Sequence, residues 1–358
     1  MKIEKLSKDE RQKTRSLYEE VFAEDTKEFV DYYYKNKAPF NEIFAAVEGD
    51  QICGMAHLNP YVLSIDKREG QGAYLVAVAT KKELRHRGIM TSLLKEVFKF
   101  LYEKEYPFLY LMPASELIYK PFDFRFFYSQ KEKIYQVGDK RKSGSAQKKF
   151  TLREVGREDL YVLSHALNEI LKKKYRLFAS RTIAYLEDLD RELSAMNGKM
   201  IGIWHGAECV GSFQLIRENG TMMMEPLIKE EYQEDVSEAI LEFLEKECPN
   251  EKIKVAAFDK TEGCLEEERK PWMMARIIHL ERWICQLKSK EKKMVRIQVR
   301  DTWIPQNEGC YEILIEENGG KIRRIEAQEG MIPVSIADLP QFFKTEDPMA
   351  DSFLNEWV

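Results

Sequence analysis

The stretch 73–100, AYLVAVATKKELRHRGIMTSLLKEVFKF, decides how the chain folds. It begins with an apolar run that predicts a buried strand, and it continues through a charged turn to Arg85-His86-Arg87-Gly88. Apolar residues then recur at helical spacing from Ile89 to Leu101. The pattern therefore predicts a strand, a basic turn and a helix that begins at the glycine.

This predicted turn has the properties of a phosphate cradle. A helix N-terminus has free backbone N–H groups and a partial positive charge, and a glycine lets an anion approach the backbone closely. Arg85 and Arg87 would add charge-assisted donors beside Gly88. The G-x-G-x-x-G and G-x-x-x-x-G-K-[ST] signatures are absent. The alternative is an ordinary strand and helix joined by a solvated basic turn.

Composition limits the class of protein. A length of 358 residues predicts two or three domains, and a net charge of -5 gives no electrostatic footprint for nucleic acid. No apolar run approaches a membrane span or a signal peptide, so we expect a cytoplasmic protein that does not act at a membrane. The six cysteines and five histidines are scattered without ligand spacing, and no metal site is expected.

Changes in pattern along the chain predict its domains. The apolar run 108–112 ends at Pro113 and predicts a strand parallel to the one before the helix. The polar segment GDKRKSGSAQKK predicts a linker over 138–149 between a first domain, 1–137, and a second, 150–287. The remaining residues, 288–358, alternate between short strands and one helix and form a third region.

Two motifs in the same order resemble a known family. Arg85-x-x-Gly88-x-Met90 resembles the R/Q-x-x-G-x-G/A signature of GCN5-related N-acetyltransferases (GNAT). The segment 114–124, ASELIYKPFDF, resembles the A-S-E-x-x-I-Y-x-x-F-G-F/Y stretch of the enhanced-intracellular-survival (Eis) acetyltransferases, with one residue fewer before the Ile-Tyr pair and Asp123 at the usual glycine. The sequence is therefore identified as similar to the Eis-like branch of the GNAT family.

The resemblance implies a fold and an assembly. It implies an α+β (mixed α/β) chain with two tandem GNAT-like folds, the second degenerate and without a cofactor site, followed by a sterol-carrier-protein-like domain. It also implies acetyl-CoA as co-substrate, bound between two splayed strands, and a homo-oligomer, a hexamer or smaller.

Site residues follow from the same resemblance. Tyr119 matches the general acid beside the cofactor sulfur, and the α-carboxylate of Val358 matches the group that receives the amine proton. The alternatives are a core or surface tyrosine and a tail that only docks. The residues assigned to acetyl-CoA are Val76, Val78, Arg85, His86, Arg87, Gly88, Ile89, Met90 and Ser115.

The acceptor pocket is predicted from Phe22, Asp25, Tyr33 and Glu356, whose aromatic and acidic side chains would attract a cationic amine. Asp25 could equally be a helix cap. The leading hypothesis is an N-acetyltransferase that acts on a primary amine of an aminoglycoside- or polyamine-like molecule or on lysine. The alternative is a lipid-binding protein, which would need an apolar cavity within 290–345.

Overall fold

The computed structural model describes residues 1–136, 149–217, 220–249, 251–256 and 264–356. The predicted linker, 138–149, lies outside these ranges except for Lys149. Helices and strands are both substantial, as expected for a mixed α/β chain. None of the helices in the described ranges is long and apolar enough to cross a membrane.

The N-terminal part follows the predicted order of elements. Ser7 and Glu10 form the predicted capping box at the start of the first helical turn. A π-helical turn over Tyr33–Lys37 continues the second helix. The elements are β1 (Lys2–Lys5), α1 (Arg15–Val21), α2 (Lys27–Tyr32), β2 (Glu42–Glu48), β3 (Gln51–Ile65), β4 (Arg68–Thr80), α3 (Ile89–Glu103), β5 (Phe108–Leu111), α4 (Glu116–Tyr119) and β6 (Arg125–Gln136).

One predicted turn was misplaced. The sequence suggested a hairpin turn at Arg68-Glu69-Gly70, but these residues belong to β4. The turn lies at Asp66 and Lys67, which both adopt positive φ angles of 47° and 69°. Two left-handed residues in succession fit the tight turn of a β-hairpin, so the chain reverses two residues earlier than the glycine suggested.

The central strands separate where the resemblance implies a cofactor cleft. Within the described residues, β4 and β5 pair only at Tyr74 and Tyr110. Three residues further, Ala77 has a φ of 50°, and the register between β3 and β4 shifts at this bulge. Because the bulge turns β4 away from its neighbour, a gap opens between the two parallel strands beyond Tyr74.

The second part repeats this architecture. Its hairpin of β10 (Glu208–Ile216) and β11 (Thr221–Ile228) also has a register shift. At the position that corresponds to Ala77 in β4, Glu225 on β11 has a φ of 48°. Its elements are β7 (Thr151–Glu154), α5 (Leu160–Lys174), β8 (Leu177–Ala179), α6 (Ile183–Ala195), β9 (Gly198–His205), β10 (Glu208–Ile216), β11 (Thr221–Ile228), α7 (Gln233–Glu247), β12 (Lys252–Ala256), β13 (Cys264–Ile277) and α8 (Leu280–Ile284).

The helix that corresponds to α3 in this second part is α7, and its N-terminus is acidic. Glu230 and Glu231 precede it, and Glu234 and Asp235 lie in its first turn. Carboxylates at a helix N-terminus stabilise the helix dipole but repel a phosphate. The start of α7 is therefore acidic where the start of α3 is basic.

The two halves exchange strands within one sheet. Its order is β1-β2-β3-β4-β5-β13-β6-β12-β11-β10-β9-β7, so β13 from the second half lies between β5 and β6, and β6 lies against β12. All of these contacts of β13 and β6 are antiparallel. Each half-sheet is thus completed by a strand from the other half.

The third region forms a separate four-stranded sheet in the order β16-β15-β14-β17. Its apolar face packs against the N-terminal half, and both belong to one continuous buried cluster that includes Trp283 and Ile297. The guanidinium of buried Arg276 on β13 forms an ion pair with the carboxylate of Asp301 in the third region, at a distance of 2.6 Å. The elements are β14 (Lys293–Arg300), β15 (Gly309–Glu316), β16 (Gly319–Arg324), β17 (Ile332–Ser335), α9 (Leu339–Phe342) and β18 (Ser352–Phe353).

The C-terminal tail returns to the junction of the first two parts. The short strand β18 pairs in parallel with β8, and β8 pairs with β3. Phe353, Leu354 and Glu356 are buried, so the tail is fixed up to Glu356. Trp357 and Val358 lie outside the described residues.

Candidate active site

The predicted phosphate cradle is formed at the start of α3. Gly88 is the N-cap residue with a φ of 78°, and its carbonyl oxygen accepts a hydrogen bond from the Ser92 backbone N–H at 3.0 Å. A Cβ atom added to Gly88 would meet no atom within 4 Å, so the space above it is open. Arg85 and Arg87 are exposed on the same turn. An anion can therefore reach the helix terminus and both guanidinium groups.

The other predicted cofactor residues lie along this turn and the two strands. Exposed His86 has a φ of 64°, and half-buried Met90 follows buried Ile89 in the first turn of α3. Val76 and Val78 are half-buried on either side of the bulge in β4. The N-cap of α4 is Ser115, as predicted, although its side chain makes no capping hydrogen bond.

Tyr119 ends α4 and is buried. Its ring lies edge-on to Phe124, with the ring centroids 5.8 Å apart. Burial raises the pKa of Tyr119 to about 12, because the phenolate would lose its solvation. The hydroxyl therefore keeps its proton at neutral pH and is able to donate it.

A cavity of about 360 Å³ lies between the N-terminal half, α6 and the C-terminal tail. Polar side chains from all three line it. They are Asn36, Lys37, Asn41, Asn59 and Tyr61 from the first half, Tyr185, Asp188, Arg191, Glu192, Gln214 and Glu225 from the second, and Asn355 and Glu356 from the tail.

Lys37 is central to one wall of this cavity. Its ammonium lies 2.7 Å from an Asp188 carboxylate oxygen and 3.5 Å from one of Glu192. Burial opposes the charge on Lys37, but Glu192 and Asp188 outweigh it and raise its pKa. Burial also raises the pKa of Glu192 to about 7, although the Tyr32 hydroxyl donates to it at 3.2 Å. This wall thus holds a carboxyl that titrates near neutral pH.

Glu356 forms the opposite wall together with Arg181 and Glu225. The Arg181 guanidinium donates to both Glu225 oxygens at 3.2 Å and lies 3.5 Å from Glu356. All three side chains are buried. Burial raises the pKa of Glu356 to about 7. Glu356 lines this cavity, and its role in an acceptor pocket stays a prediction.

A row of tyrosine rings connects the cavity to the gap between β4 and β5. Tyr61 lines the cavity, and its ring centroid lies 6.3 Å from that of Tyr74. The ring centroid of Tyr74 lies 5.2 Å from that of Tyr110. These two residues form the pair between β4 and β5 beyond which the strands diverge. The cavity and the gap are therefore linked by contiguous packed rings.

The other predicted acceptor residues lie behind this cavity and do not line it. Tyr33 is fully buried, and its hydroxyl is hydrogen-bonded to His57 at 2.8 Å. Phe22 stacks on Tyr18, whose hydroxyl donates to Asp25 at 2.7 Å. The reading of Asp25 as a helix cap was wrong, because Thr26 is the N-cap of α2. The predicted base, Val358, lies outside the described residues.

Sequence reasoning missed Lys37, Asp188 and Glu192. A signal was present in α6, where Asp188 and Glu192 are four residues apart and must share one helix face. Nothing local connects that face with Lys37, which is far away in sequence and reaches it only through the packing of α2 on α6. In the part of the chain that the structure describes, no group of three or more His, Cys, Asp or Glu residues could hold a metal ion.

Comparison with known proteins relates the N-terminal part of the chain to a family of enzymes. Residues 2–127, which contain the cradle and Tyr119, match the family model of the acetyltransferase (GNAT) domain. No curated protein matches the chain in sequence. The domain match supports an N-acetyltransferase, and GNAT enzymes use acetyl-CoA.

Solved structures show the same fold over the chain. A protein of unknown function from Enterococcus faecalis V583, described as a probable N-acyltransferase, has a TM-score of 0.79 at 15% identity, covering 100% of this chain and 99% of its own. Eis1 from Mycobacterium abscessus has a TM-score of 0.66 at 14% identity, covering 96% and 89%. A tandem GNAT protein from the clavulanic acid biosynthesis pathway has a TM-score of 0.51 at 11% identity, covering 77% and 98%.

Proposed function

We propose that the chain transfers the acetyl group of acetyl-CoA directly to a primary amine of a small cationic molecule, aminoglycoside- or polyamine-like, or of a lysine. One observation carries this proposal. The gap between β4 and β5, with the basic cradle at its end, is linked through the packed rings of Tyr110, Tyr74 and Tyr61 to a cavity that four carboxyl side chains line. A thioester held in the gap would face an amine held in the cavity.

The residues present fit acetyl-CoA. The open space above Gly88 admits a pyrophosphate to the N-terminus of α3, and Arg85, His86 and Arg87 surround it. Val76, Val78, Ile89, Met90 and Ser115 lie along the path that the pantetheine arm would follow. Acetyl-CoA supplies a thioester that is reactive toward amines.

The transfer needs one proton acceptor and one proton donor. A neutral amine attacks the thioester carbonyl, an amide C–N bond forms, the C–S bond breaks, and the thiolate takes a proton. Tyr119 is the proposed donor because burial keeps its hydroxyl protonated.

The amine proton goes to the proposed acceptor, the Val358 carboxylate, directly or through water. The tail supports this assignment, since it is held inside the cavity as far as Glu356. In the substrate pocket, Glu356 would attract the ammonium. Phe22, Asp25 and Tyr33 would support the cavity wall from behind.

The finer features that the resemblance implies remain part of the proposal. They are an Eis-like assembly of four segments (1–137, 138–149, 150–287 and 288–358), a sterol-carrier-like third region, a homo-oligomer and a cytoplasmic location. The separate sheet of the third region supports the last boundary. The lipid-binding alternative, which needs an apolar cavity within 290–345, stays a prediction.

Two measurements test the proposed function. Acetyl-CoA should raise the melting temperature in proportion to the logarithm of its concentration above Kd, because it binds the folded cradle only. Thiol release from acetyl-CoA should then depend on an added amine. If acetyl-CoA neither stabilises the chain nor loses its acetyl group to any amine of a broad panel, the proposed function is wrong.

A further inference from the structure

Helix α6 presents two different stripes to the cavity. Asp188 and Glu192 form an acidic stripe, and Leu189 and Leu193 form an apolar stripe one position further round the helix. Met196, just after the helix, extends the apolar stripe by three more positions. Since residues four apart share a helix face, each stripe is continuous. The cavity therefore has a polar side and an apolar side.

The apolar side continues to the mouth of the cavity. Ile216 on β10 adds to the inner wall. At the rim, Phe40 is 73% exposed and Val62 is 45% exposed, with Pro60 between them and the interior. Single exposed apolar residues are common on proteins, but a cluster that borders a cavity marks a surface for an apolar ligand.

The charges of the cavity nearly cancel. Four carboxyl groups belong to it: Asp188, Glu192, Glu225 and Glu356. Three cations of the described residues pair with them, because Lys37 and Arg191 contact Asp188, and Arg181 contacts Glu225 and Glu356. Four negative groups against three positive ones leave an excess of one negative charge at most.

We propose that the acceptor is an amine with a single positive charge and an apolar alkyl or aryl body. This inference rests on the proposed acetyl transfer to an amine, and it replaces the polycationic acceptor class, aminoglycoside- or polyamine-like, by a monocationic one. The ammonium would lie among the carboxylates near Glu356, and the body would lie on Leu189 and extend past Pro60 and Val62 toward Phe40. A second ammonium on the same body would lose its hydration against the apolar side without a free carboxylate to pair with.

The first experiment compares n-butylamine with 1,4-diaminobutane, which differ by one terminal amine on the same carbon chain. The wild-type enzyme should have the higher kcat/KM for the monoamine. From butylamine to hexylamine, kcat/KM should rise by roughly fifteenfold, at about fourfold for each of the two buried methylenes. Equal or higher kcat/KM for the diamine, or no rise with chain length, would overturn the inference.

The second experiment changes the mouth of the cavity. Phe40→Ser should remove most of the gain between butylamine and hexylamine by raising KM for the longer amine, while the constants for butylamine change little. The matched control is Phe342→Ser, which removes an exposed phenylalanine on α9 that does not line the cavity. The chain-length gain should be unchanged in this control, and an unchanged gain in Phe40→Ser would contradict the proposal.

The two proposals fail in distinguishable ways. If the wild-type chain releases thiol with polyamines but shows no preference for apolar monoamines, acetyl transfer stands and the substrate class is wrong. If no amine supports thiol release, the proposed function itself fails, and the substrate class fails with it.

Discussion

Gly88 is the residue at which the cradle can be tested without disturbing the core. Gly88→Glu should abolish the stabilisation by acetyl-CoA, because a carboxylate would repel the pyrophosphate and fill the open space above the helix terminus. Gly49→Glu is a matched control, since Gly49 also has a positive φ, of 61°, and open space around it. Gly49→Glu introduces the same kind of backbone strain as Gly88→Glu, but it lies outside the predicted acetyl-CoA site. The measurement is the shift in melting temperature that each variant shows at the same acetyl-CoA concentration. Equal shifts in Gly88→Glu and Gly49→Glu would mean that acetyl-CoA does not bind at Gly88.

Tyr119 tests the proton donor. Tyr119→Phe keeps the ring that packs on Phe124 and removes only the hydroxyl. We expect kcat to fall by about a hundredfold, the scale of one general acid, while the acetyl-CoA thermal shift is retained. Steady-state thiol release with an accepted amine measures this. Wild-type kcat in the variant would remove Tyr119 from the mechanism.

Glu192 gives the stability of the chain a defined pH dependence. Its carboxyl has a pKa of about 7 when folded, against 4.5 ordinarily. In this window the folded chain holds a proton that the unfolded chain has released, so the free energy of unfolding falls as the pH rises from about 4.5 to about 7. In Glu192→Gln the decrease in the free energy of unfolding over this pH range should be smaller by on the order of 2 kcal/mol.

Denaturant unfolding at several pH values measures this change. Glu329→Gln, which alters an exposed glutamate, serves as the control and should behave as the wild type does. The assignment is wrong if the fall in Glu192→Gln equals that of the wild type.

The exchanged strands β6 and β13 are the elements that the sequence did not reveal fully. The first ten residues of β13, CLEEERKPWM, are rich in charge and contain a proline, so no apolar run predicts a strand there. They form a strand because β6 offers opposite charges. Lys270 pairs with Glu132 at 3.2 Å, and Lys133 pairs with Glu267 at 3.6 Å. Such pairing depends on residues far apart in sequence, which local patterns do not show.

This exchange predicts how fragments behave. A fragment of residues 1–136 contains the cradle and Tyr119 but lacks β13, so the edges of β5 and β6 would be unpaired and apolar surface would be exposed. We expect it to aggregate or to unfold at a much lower temperature than the full chain, and to show no stabilisation by acetyl-CoA. Circular dichroism and thermal shift measure both properties. A cooperatively folded fragment that binds acetyl-CoA would show that the exchange is dispensable.

At the scale of the whole molecule, the cavity exists only because three distant parts of the chain meet. The sequence was sufficient for the strand, the basic turn and the helix around Gly88, because backbone conformation, charge and periodicity coincide within the stretch 73–100. It did not find the contact of Lys37 with α6, since that contact is set by how α2 and the second half pack together. Local chemistry was thus predictable, but the acceptor side was not.

The most direct test of the central claim is the time course of thiol release from acetyl-CoA by the full-length chain, with and without a primary amine, together with the mass of the amine product. The account predicts amine-dependent release, one acetyl group added to the amine for each thiol, and loss of both in Gly88→Glu. Thiol release that is independent of amine, or an amine that stays unmodified while the wild-type chain is folded and binds acetyl-CoA, would contradict it.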